Sequence, residues 1–449
     1  MKKLSFALIF AMLFMFPMKR VQASSKNALN INSDCSYILI DGKTGQVLVE
    51  NNADAIIRPA STTKILTAIV ALEEGDLNKE VNVSLEAVND IGDGGMNIGI
   101  MAGETNLTLE HMLNVMMVKS ANETANIIAE NIYPSRAAFI ERMNQRAKEL
   151  GAIHTTFYNT NGMDDTEEYK KHLTTARDMV IIAKHAMTIP KFREIVKQEY
   201  YNELPATNKH KEWPPLRTSN KLLWDTNEYK YTKHSQEYKY TVNGIKTGYT
   251  SGAGFNLISS AVNEEGIELI AAVMNVKDGN NAVFQYTKAL FEYGFGNYTM
   301  QNVVKKNQFV ESVPVAKSKD GNKLALVAAE DLNAIVPIED NNWNIEAKKN
   351  ITADITAPIK QGQVLGSVEY IQNGVSIGKI DLIAAKNMDV NNNLIFSKDT
   401  KSFFGKGLFS WILKLLLLLY LILIARKHIK RAIRRKKRRK YMESRYKLK

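Results

Sequence analysis

Apolar residues follow two patterns along this chain: short β-branched and aromatic runs, and stretches with helical spacing. The short runs are bounded by Gly, Asn and Asp, which is typical of β-strands joined by hairpin turns. Strands are predicted at Cys35–Ile40, Gln46–Glu50, Tyr240–Thr247, Phe255–Val262 and Ile267–Asn275. We expect these strands to form one antiparallel sheet.

Between the two groups of strands, apolar residues recur three and four positions apart, as on the buried face of a helix. Ser61–Glu74 has this spacing, and Gly75 is expected to end the helix. Further helices are predicted over Leu109–Lys119, from near Glu123, from Thr174 or Thr175 to about Met187, and from about Asn280 to Tyr293. The order of elements predicts an α/β fold in which helices cover the antiparallel sheet.

After about Asn297 the pattern changes to short β-like runs separated by Lys, Asp, Asn and Gly. The runs are Val303–Val313, Leu324–Leu326, Ile351–Ile355, Val364–Ile371 and Ile380–Ala384. This pattern predicts a separate C-terminal all-β domain. The stretch from Glu199 to Tyr240 has no clear pattern and is left without an assignment.

Both ends of the chain resemble those of exported, membrane-bound proteins. Two lysines precede an apolar stretch that ends near Val21-Gln22-Ala23, so a signal peptide is predicted. Near the other end, the apolar run Leu408–Ala425 would reach roughly 27 Å as a helix, close to the hydrocarbon thickness of a bilayer. We expect a transmembrane helix there, with Lys414 extended toward the headgroups.

The net charge of +12 is concentrated in the last residues of the chain. Residues 426–449 hold 14 Lys and Arg against one Glu, so the rest of the chain is nearly neutral. The positive-inside rule makes this tail cytoplasmic and predicts that about Ser24 to Gly407 lies on the extracytoplasmic face of the cell membrane. The tail is expected to bind membrane lipids, and no nucleic-acid partner is predicted.

These patterns together predict five segments. They are a signal peptide over residues 1–23, a main domain over 24–296, a small β-rich domain over 297–400, a juxtamembrane and transmembrane segment over 401–425, and a basic cytoplasmic tail over 426–449. Cys35 is the only cysteine, so no intramolecular disulfide is possible, and we expect it to be buried. The seven His residues show no metal-binding spacing, so neither a metal nor a cofactor is predicted.

Three short motifs carry the candidate chemistry: Ser61–Lys64, Ser120–Asn122 and Lys246–Gly248. Each motif alone is weak because its letters recur elsewhere. The copies are Ser376–Lys379, Ser444–Lys447, Ser25–Asn27 and Lys43–Gly45. Their structural context distinguishes the three motifs from these copies, because the motifs fall at a helix start, a joint between helices and a strand edge. Lys43–Gly45, in contrast, is expected to be a hairpin turn.

Ser61 and Lys64 lie three positions apart, so on a helix the amine can reach the hydroxyl. A lysine acts as a base only when it is neutral, which burial or a second positive charge such as that of Lys246 would favour. Backbone N–H groups at the helix start suit a developing oxyanion. The alternative for Ser61 is an ordinary helix cap.

The other two motifs supply polar groups for a substrate. Ser120 and Asn122 can provide a hydroxyl for proton transfer and an amide for a substrate carbonyl, although either can also cap a helix. Lys246 and Thr247 on a strand edge can hold a terminal carboxylate, and Gly248 permits the close approach of an extended substrate.

These residues resemble the D-alanyl-D-alanine carboxypeptidases, the low-molecular-mass penicillin-binding proteins, which share a fold with class A β-lactamases. The similarity extends from about Asn32 to Asn297 and, more loosely, through the β-rich domain. Beyond the three motifs it includes Arg58–Ala60, Asn159–Met163, Thr175–Asp178 and Gly244–Ser251. The resemblance implies a DD-peptidase catalytic domain that acts on peptidoglycan stem peptides and is inhibited covalently by β-lactams.

The resemblance also implies a role for each site residue. Ser61 is the expected nucleophile that becomes acylated, Lys64 is the expected base, and Ser120 is expected to relay a proton to the departing D-alanine. Asn122 is expected to bind a substrate carbonyl, and Lys246 with Thr247 to hold the terminal carboxylate as a clamp. The backbone N–H groups of Ser61 and Tyr249 are expected to form the oxyanion hole.

Alternatives to a carboxypeptidase stay open on the sequence. A class A β-lactamase activates its water with a Glu-x-x-x-Asn element between the second and third motifs, and none occurs between Ser120 and Lys246. An endopeptidase or transpeptidase would use the same acyl-enzyme. A non-catalytic wall-binding scaffold would have no chemical need for both lysines.

Overall fold

The computed structural model describes residues 29–224, 228–339, 343–391 and 407–446. The predicted signal peptide and the copy of the second motif at Ser25–Asn27 lie outside the described residues, as do residues 401–406 of the predicted juxtamembrane segment. The described chain forms two compact units. The first holds the residues up to Val303 with Leu332–Lys348 and Glu369–Lys379, and the second holds Val304–Asp331, Lys349–Val368 and the chain from Ile380 onward.

The strands begin with the predicted hairpin and end in the C-terminal region. In chain order they are β1 (Ser36–Asp41), β2 (Val47–Asn51), β3 (Tyr200–Tyr201), β4 (Leu216–Arg217), β5 (Tyr229–Lys233), β6 (Gln236–Thr250), β7 (Gly254–Asn263), β8 (Glu268–Val276), β9 (Tyr298–Val304), β10 (Phe309–Pro314), β11 (Lys323–Ala328), β12 (Leu332–Pro337), β13 (Ile345–Ile351), β14 (Val364–Gln372) and β15 (Val375–Ala384).

The main sheet has the strand order β2-β1-β8-β7-β6-β5, and every neighbouring pair is antiparallel. The predicted antiparallel sheet is therefore confirmed. The sheet also contains β5, which was not predicted because it lies in the stretch without a clear pattern. Strand β5 pairs with β6, which is longer than predicted and begins at Gln236. The turn at Lys43–Gly45 connects β1 to β2, as predicted, and Asp41 accepts hydrogen bonds from the backbone of Lys43 and Thr44.

The helices of the first unit cover both faces of this sheet, and one further helix belongs to the second unit. They are α1 (Lys64–Glu74), α2 (Leu85–Asn89), α3 (Leu109–Val118), α4 (Asn122–Ile132), α5 (Arg136–Leu150), α6 (Ala176–Ala186), α7 (Pro190–Val196) and α8 (Asn280–Asn297), with α9 (Gly407–Tyr446) at the end of the chain. Short 3-10 turns lie at Ala60–Thr63, Tyr169–Lys171 and Lys221–Leu223.

Two apolar clusters lie on opposite faces of the sheet because successive strand residues point to opposite sides. Along β1, Ile38 and Ile40 belong to the larger cluster, which contains residues of α1 and of α3 to α7, whereas Leu39 belongs to the cluster that contains α8. Along β8, Ala272 belongs to the larger cluster and Val273 to the cluster that contains α8. The central strands are thus buried on both faces, and α1 packs deep in the larger cluster.

The C-terminal strands confirm the predicted all-β region, with three differences. The strands β10, β11, β15, β14 and β13 follow one another in a five-stranded sheet. The predicted run Val303–Val313 is two strands, β9 and β10, because the chain turns between them: Gln308 N donates to Lys305 O, and Asn307 has a φ of 64°. Strand β12 was not predicted; it pairs with β9. The strand predicted at Ile351–Ile355 is wrong, since β13 ends at Ile351 and Asp354, with a φ of 54°, bends the chain after it.

One membrane prediction is corrected. Among the residues that the structure describes, no helix combines the length and the apolar character that a membrane crossing requires. The transmembrane helix predicted over Leu408–Ala425 is therefore not found. Helix α9 carries Lys414 within its apolar run, and Arg426 and Lys427 follow that run directly.

The packing of the two clusters predicts that truncating a buried leucine destabilises the fold much more than truncating an exposed one. Leu290 in α8 is fully buried, whereas Leu85 at the start of α2 is 64% exposed. Leu290→Ala is expected to lower the free energy of unfolding by about 2–5 kcal/mol because it leaves a cavity, and Leu85→Ala by less than about 0.5 kcal/mol. Urea unfolding followed by tryptophan fluorescence measures both variants; equal losses would contradict the described packing of α8.

Candidate active site

Ser61 lies in a tight 3-10 turn over Ala60–Thr63, and the α-helix begins only at Lys64. This corrects the expectation that Ser61 opens the α-helix. The turn is stabilised by its own side chains, because Thr62 Oγ1 donates to Pro59 O at 2.7 Å and Thr63 Oγ1 donates to Ala60 O at 2.8 Å. The N-cap of the turn is Pro59 and that of the α-helix is Thr63, so Ser61 is not the helix cap.

Lys64 is fully buried and its amine has three oxygen neighbours. Its Nζ lies 3.0 Å from Ser61 Oγ, 2.7 Å from Asn122 Oδ1 and 2.8 Å from the backbone O of Asn161. The amide and the carbonyl oxygens can only accept hydrogen bonds, whereas the serine hydroxyl can also donate one. A neutral amine, with two N–H groups and one lone pair, fits these three partners completely.

Burial and charge both favour the neutral amine at Lys64. Burial holds the pKa of Lys64 well below its ordinary value, and the positive charge of Lys246 lowers this pKa further. Lys246 is also buried, and burial lowers its pKa to about 7. The second lysine thus acts on the first as the sequence predicted.

The second motif joins α3 to α4. Ser120 adopts a φ of 68°, which turns the chain sharply between the two helices, and its Oγ accepts a hydrogen bond of 2.8 Å from Lys246 Nζ. Asn122 holds Lys64 with its amide oxygen, and its Nδ2 donates to Ile91 O at 2.7 Å. The amide is therefore oriented by groups on both sides.

The third motif lies on β6, next to the serine turn. A Cβ atom on Gly248 would lie 3.0 Å from the backbone nitrogens of Ser61 and Thr62 and from Pro59 O, so glycine permits this approach. Lys246 Nζ donates to Thr247 O at 2.9 Å as well as to Ser120. The strand therefore places the third motif against the first two.

The predicted site residues converge on one groove of about 770 Å³. Its walls include Ser61, Ser120, Asn122, Thr247, Gly248 and Tyr249, and the buried side chains of Lys64 and Lys246 contact this set from behind. Of the other copies, the two that the structure describes completely lie elsewhere: Ser376–Lys379 lies within β15 and Lys43–Gly45 lies in the first hairpin turn. Their position, and not their letters, separates them from the site.

The loop from Asn159 to Met163 supplies a group that sequence reasoning did not assign. Asn161 offers its backbone oxygen to Lys64. Gly162 has a φ of 92°, and a Cβ atom there would lie 1.8 Å from Ala60 O, so only glycine fits against the serine turn. The family resemblance included this loop, but a backbone carbonyl has no signature in the sequence.

Two buried polar side chains that were not predicted hold the serine turn. Asn256 Nδ2 donates to Arg58 O and to Pro59 O, both at 3.1 Å, and its Oδ1 accepts from Asn275 N. It lies on β7 directly opposite Gly248. Asn256 therefore fastens the approach to Ser61 to the sheet.

His172 holds the same turn from the other side. Its Nδ1 accepts from the backbone N–H of Tyr158, so its Nε2 carries the proton and donates to Thr63 Oγ1 at 2.8 Å. Thr63 in turn donates to Ala60 O. Burial lowers the pKa of His172 to about 3, so the ring stays neutral and keeps this tautomer at physiological pH.

Glu123, next to Asn122, is buried among helices and was also missed. Its Oε1 accepts a 2.7 Å hydrogen bond from Ile98 N, and burial raises its pKa. Asn122 N donates to Met96 O in the same segment. The start of α4 therefore holds the loop that forms one wall of the groove.

The chemistry available in the groove is that of serine, lysine and amide groups. In the ranges that the structure describes, no three His, Cys, Asp or Glu side chains come together as a metal site would need. The prediction that no cofactor is required remains a prediction.

Comparisons with known proteins agree with this geometry. Residues 21–278 match the family model described as D-alanyl-D-alanine carboxypeptidase, which spans more than half of the chain. Residues 298–390 match the model described as penicillin-binding protein 5, C-terminal domain.

Characterised relatives match over most of their length. The chain is 30% identical to D-alanyl-D-alanine carboxypeptidase DacF from Bacillus subtilis over 81% of this chain and 88% of the relative. It is 28% identical to D-alanyl-D-alanine carboxypeptidase DacC from Escherichia coli, over 79% of this chain and 84% of the relative. The solved structure of penicillin binding protein 5 from Haemophilus influenzae matches with a TM-score of 0.60 at 26% identity, covering 79% of this chain and 97% of that one.

The family predicted from the three motifs is thus confirmed by independent matches along both domains. The chain belongs to the D-alanyl-D-alanine carboxypeptidases, and it is a serine hydrolase of that family.

Proposed function

We propose that this site removes the terminal D-alanine from peptidoglycan stem pentapeptides through an acyl-serine intermediate on Ser61. One observation carries the proposal: the amine of a fully buried Lys64 lies 3.0 Å from Ser61 Oγ, and its other two neighbours are acceptors. In this arrangement the lone pair of a neutral amine points to the serine proton. Membership of the family and the groove support the same reaction.

In the first step Lys64 takes the proton of Ser61 as Oγ attacks the carbonyl carbon of the penultimate D-alanine. The new C–O bond places negative charge on the carbonyl oxygen. Backbone N–H groups of Ser61 and Tyr249 stabilise this oxyanion, as the family implies. Asn122 binds a carbonyl of the peptide while its Oδ1 keeps Lys64 in place.

In the second step the bond to the terminal D-alanine breaks. The leaving nitrogen takes a proton from the hydroxyl of Ser120, and Lys246, 2.8 Å from that hydroxyl, replaces it. After this step Lys64 holds the proton of Ser61 and Lys246 is neutral. Water then attacks the acyl carbon and its proton passes through Ser120 to Lys246. Lys64 returns its proton to Ser61 Oγ as the C–O bond breaks and the shortened peptide leaves, so one C–N bond is hydrolysed overall.

The terminal carboxylate of the substrate binds at the third motif. Thr247 lines the groove, and Lys246 supplies a positive charge directly behind it. A carboxylate is held there by charge-assisted hydrogen bonds. This requirement for a free carboxylate makes the site specific for the end of a peptide.

Penicillin is expected to acylate the same serine, and the resulting acyl-enzyme is expected to be hydrolysed slowly. It presents a strained amide and a carboxylate to the groups that bind the peptide. Between Ser120 and Lys246 the chain lacks the Glu-x-x-x-Asn element that class A β-lactamases use to activate the deacylating water. We therefore propose stable labelling by penicillin instead of β-lactamase turnover.

The catalytic unit is proposed to work on the extracytoplasmic face, where the wall peptides are, and the C-terminal helix to contact membrane lipids. From Arg426 to Lys440 the side chains of α9 are exposed, and eleven of these fifteen residues are Lys or Arg. Each Lys or Arg near an anionic membrane surface adds about 1 kcal/mol of attraction. The exposed leucines before them would lie against the lipid.

Replacing the nucleophile tests the mechanism. Ser61→Ala is expected to abolish both the mass increase with penicillin and the release of D-alanine from a pentapeptide, because the attacking hydroxyl is gone. Ser376→Ala is the matched control, since it alters the other Ser-x-x-Lys copy that lies in the folded domains, and is expected to leave both unchanged. Intact mass spectrometry and a D-alanine assay measure the two properties.

Release of D-alanine by Ser61→Ala at the wild-type rate would disprove the acyl-serine mechanism. Hydrolysis of penicillin in many turnovers by the wild-type protein would instead indicate a β-lactamase.

The pH dependence follows from Lys246. Because its pKa is lowered to about 7, its ammonium loses the proton above this pH, and with it the charge that attracts the carboxylate. The kcat/KM for a pentapeptide is therefore expected to fall as the pH rises above about 7, mainly through a higher KM. Steady-state rates from about pH 5 to 9 measure this; a constant KM across the range would contradict the clamp role.

The lipid contact predicts salt-sensitive membrane binding. The full chain is expected to sediment with vesicles containing phosphatidylglycerol more strongly at 0.1 M than at 1 M NaCl, since the Debye length falls from about 10 Å to about 3 Å. Replacing the seven basic residues from Arg434 to Lys440 with Gln should weaken this salt dependence, although Arg426, Lys427, Lys430 and Arg431 remain. Equal binding to neutral vesicles and to anionic ones would contradict the role of the basic helix.

A further inference from the structure

A pair of hydroxyl groups faces the groove beside the third motif. Ser219 Oγ lies 2.5 Å from Thr247 Oγ1, and both residues line the groove that contains Ser61. Ser219 is exposed and comes from the segment between β4 and the 3-10 turn at Lys221–Leu223, which the sequence patterns left without an assignment. No motif pointed to it.

The backbone around Ser219 is firmly held although its side chain is exposed. Its neighbours Thr218 and Asn220 are both buried. Thr218 N donates to Glu199 O at 2.8 Å, and Asn220 Oδ1 accepts from Leu222 N at 3.1 Å. The Ser219 hydroxyl is therefore presented to Thr247 by an ordered turn.

The chemistry of the pair suits a carboxylate. When two hydroxyls bond to each other, only one of the two protons is used between them. A carboxylate has two oxygens and can accept both protons at once, in charge-assisted hydrogen bonds that are stronger than the bond between the hydroxyls. Lys246 lies directly behind the pair, with its Nζ 2.9 Å from Thr247 O, and contributes positive charge.

The neighbouring guanidinium is engaged elsewhere. Arg217 donates two hydrogen bonds to Glu199 Oε1 and stacks 3.9 Å from the centroid of the Trp224 ring. It is therefore held away from the hydroxyl pair by contacts on its own side of the turn. Recognition of the carboxylate at this point then depends on hydroxyls and on Lys246.

We propose that Ser219 is a specificity-determining residue, whose hydroxyl donates a hydrogen bond to the terminal carboxylate of the substrate alongside that of Thr247. The proposal rests on the proposed function, since it concerns the carboxylate of the peptide that acylates Ser61. It adds a second hydroxyl, from a different segment of the chain, to the carboxylate clamp on β6.

The test uses two acylating thioesters that differ in a single group. One has a thioglycolate leaving group with a free carboxylate, and the other is its methyl ester. The second-order rate constant for acylation of Ser61 is measured for both with the wild-type chain, Ser219→Ala and Ser219→Thr. Ser376→Ala serves as the matched control, because Ser376 is an exposed serine in β15 that does not line the groove.

Ser219→Ala is expected to slow acylation by the free carboxylate about tenfold, the loss expected for one hydrogen bond to a charged group, and to change acylation by the methyl ester less than about twofold. Ser219→Thr should restore most of the rate, and Ser376→Ala should change neither rate. Thermal unfolding of each variant checks that the fold is intact.

Equal losses with both thioesters would show that Ser219 acts on the structure and not on the carboxylate, and would overturn the proposal. No loss with either would overturn it as well. A wild-type chain that is not acylated by either thioester would instead refute the proposed function, so the two failures are distinguishable.

Discussion

The burial of Lys64 is the constraint on which the rest of the site depends. A lysine removed from water loses the hydration of its charge, a cost of several kcal/mol unless the amine becomes neutral or gains partners. Here the partners come from three separate parts of the chain: Ser61 in the 3-10 turn just before Lys64, Asn122 at the start of α4 and the carbonyl of Asn161. The amine can therefore be buried only where the fold brings these groups together, and the same burial makes it a base.

Two close approaches of the backbone make that convergence possible. Gly248 lets β6 lie against the turn that carries Ser61, and Gly162 lets the loop after α5 lie against Ala60. Around them, Asn256 and His172 bind the carbonyls and hydroxyls of the turn. The turn is thus held by the sheet on one side and by buried polar groups on the other. Rigid support of this kind keeps the distance between hydroxyl and amine short before any substrate binds.

Much of this arrangement was predictable from the sequence, because residue spacing and strand alternation are local signals. The antiparallel sheet, the helix after Ser61 and the positions of the three motifs follow from such signals. The carbonyl of Asn161, the tautomer of His172 and the position of Ser219 do not, since each depends on contacts between residues far apart in the chain. The C-terminal helix shows the opposite error: the leucine run suggested a membrane crossing that the described helix does not support.

The central claim is that Lys64 is neutral in the free protein and so can accept the proton of Ser61. NMR of the chain with ¹³C-labelled lysine, assigned with a Lys64→Arg variant, follows the titration of this amine directly. The account predicts a pKa for Lys64 well below the ordinary value near 10.4, with the amine neutral at physiological pH. A Lys64 amine that titrates at the ordinary value, and is therefore protonated at physiological pH, would contradict it.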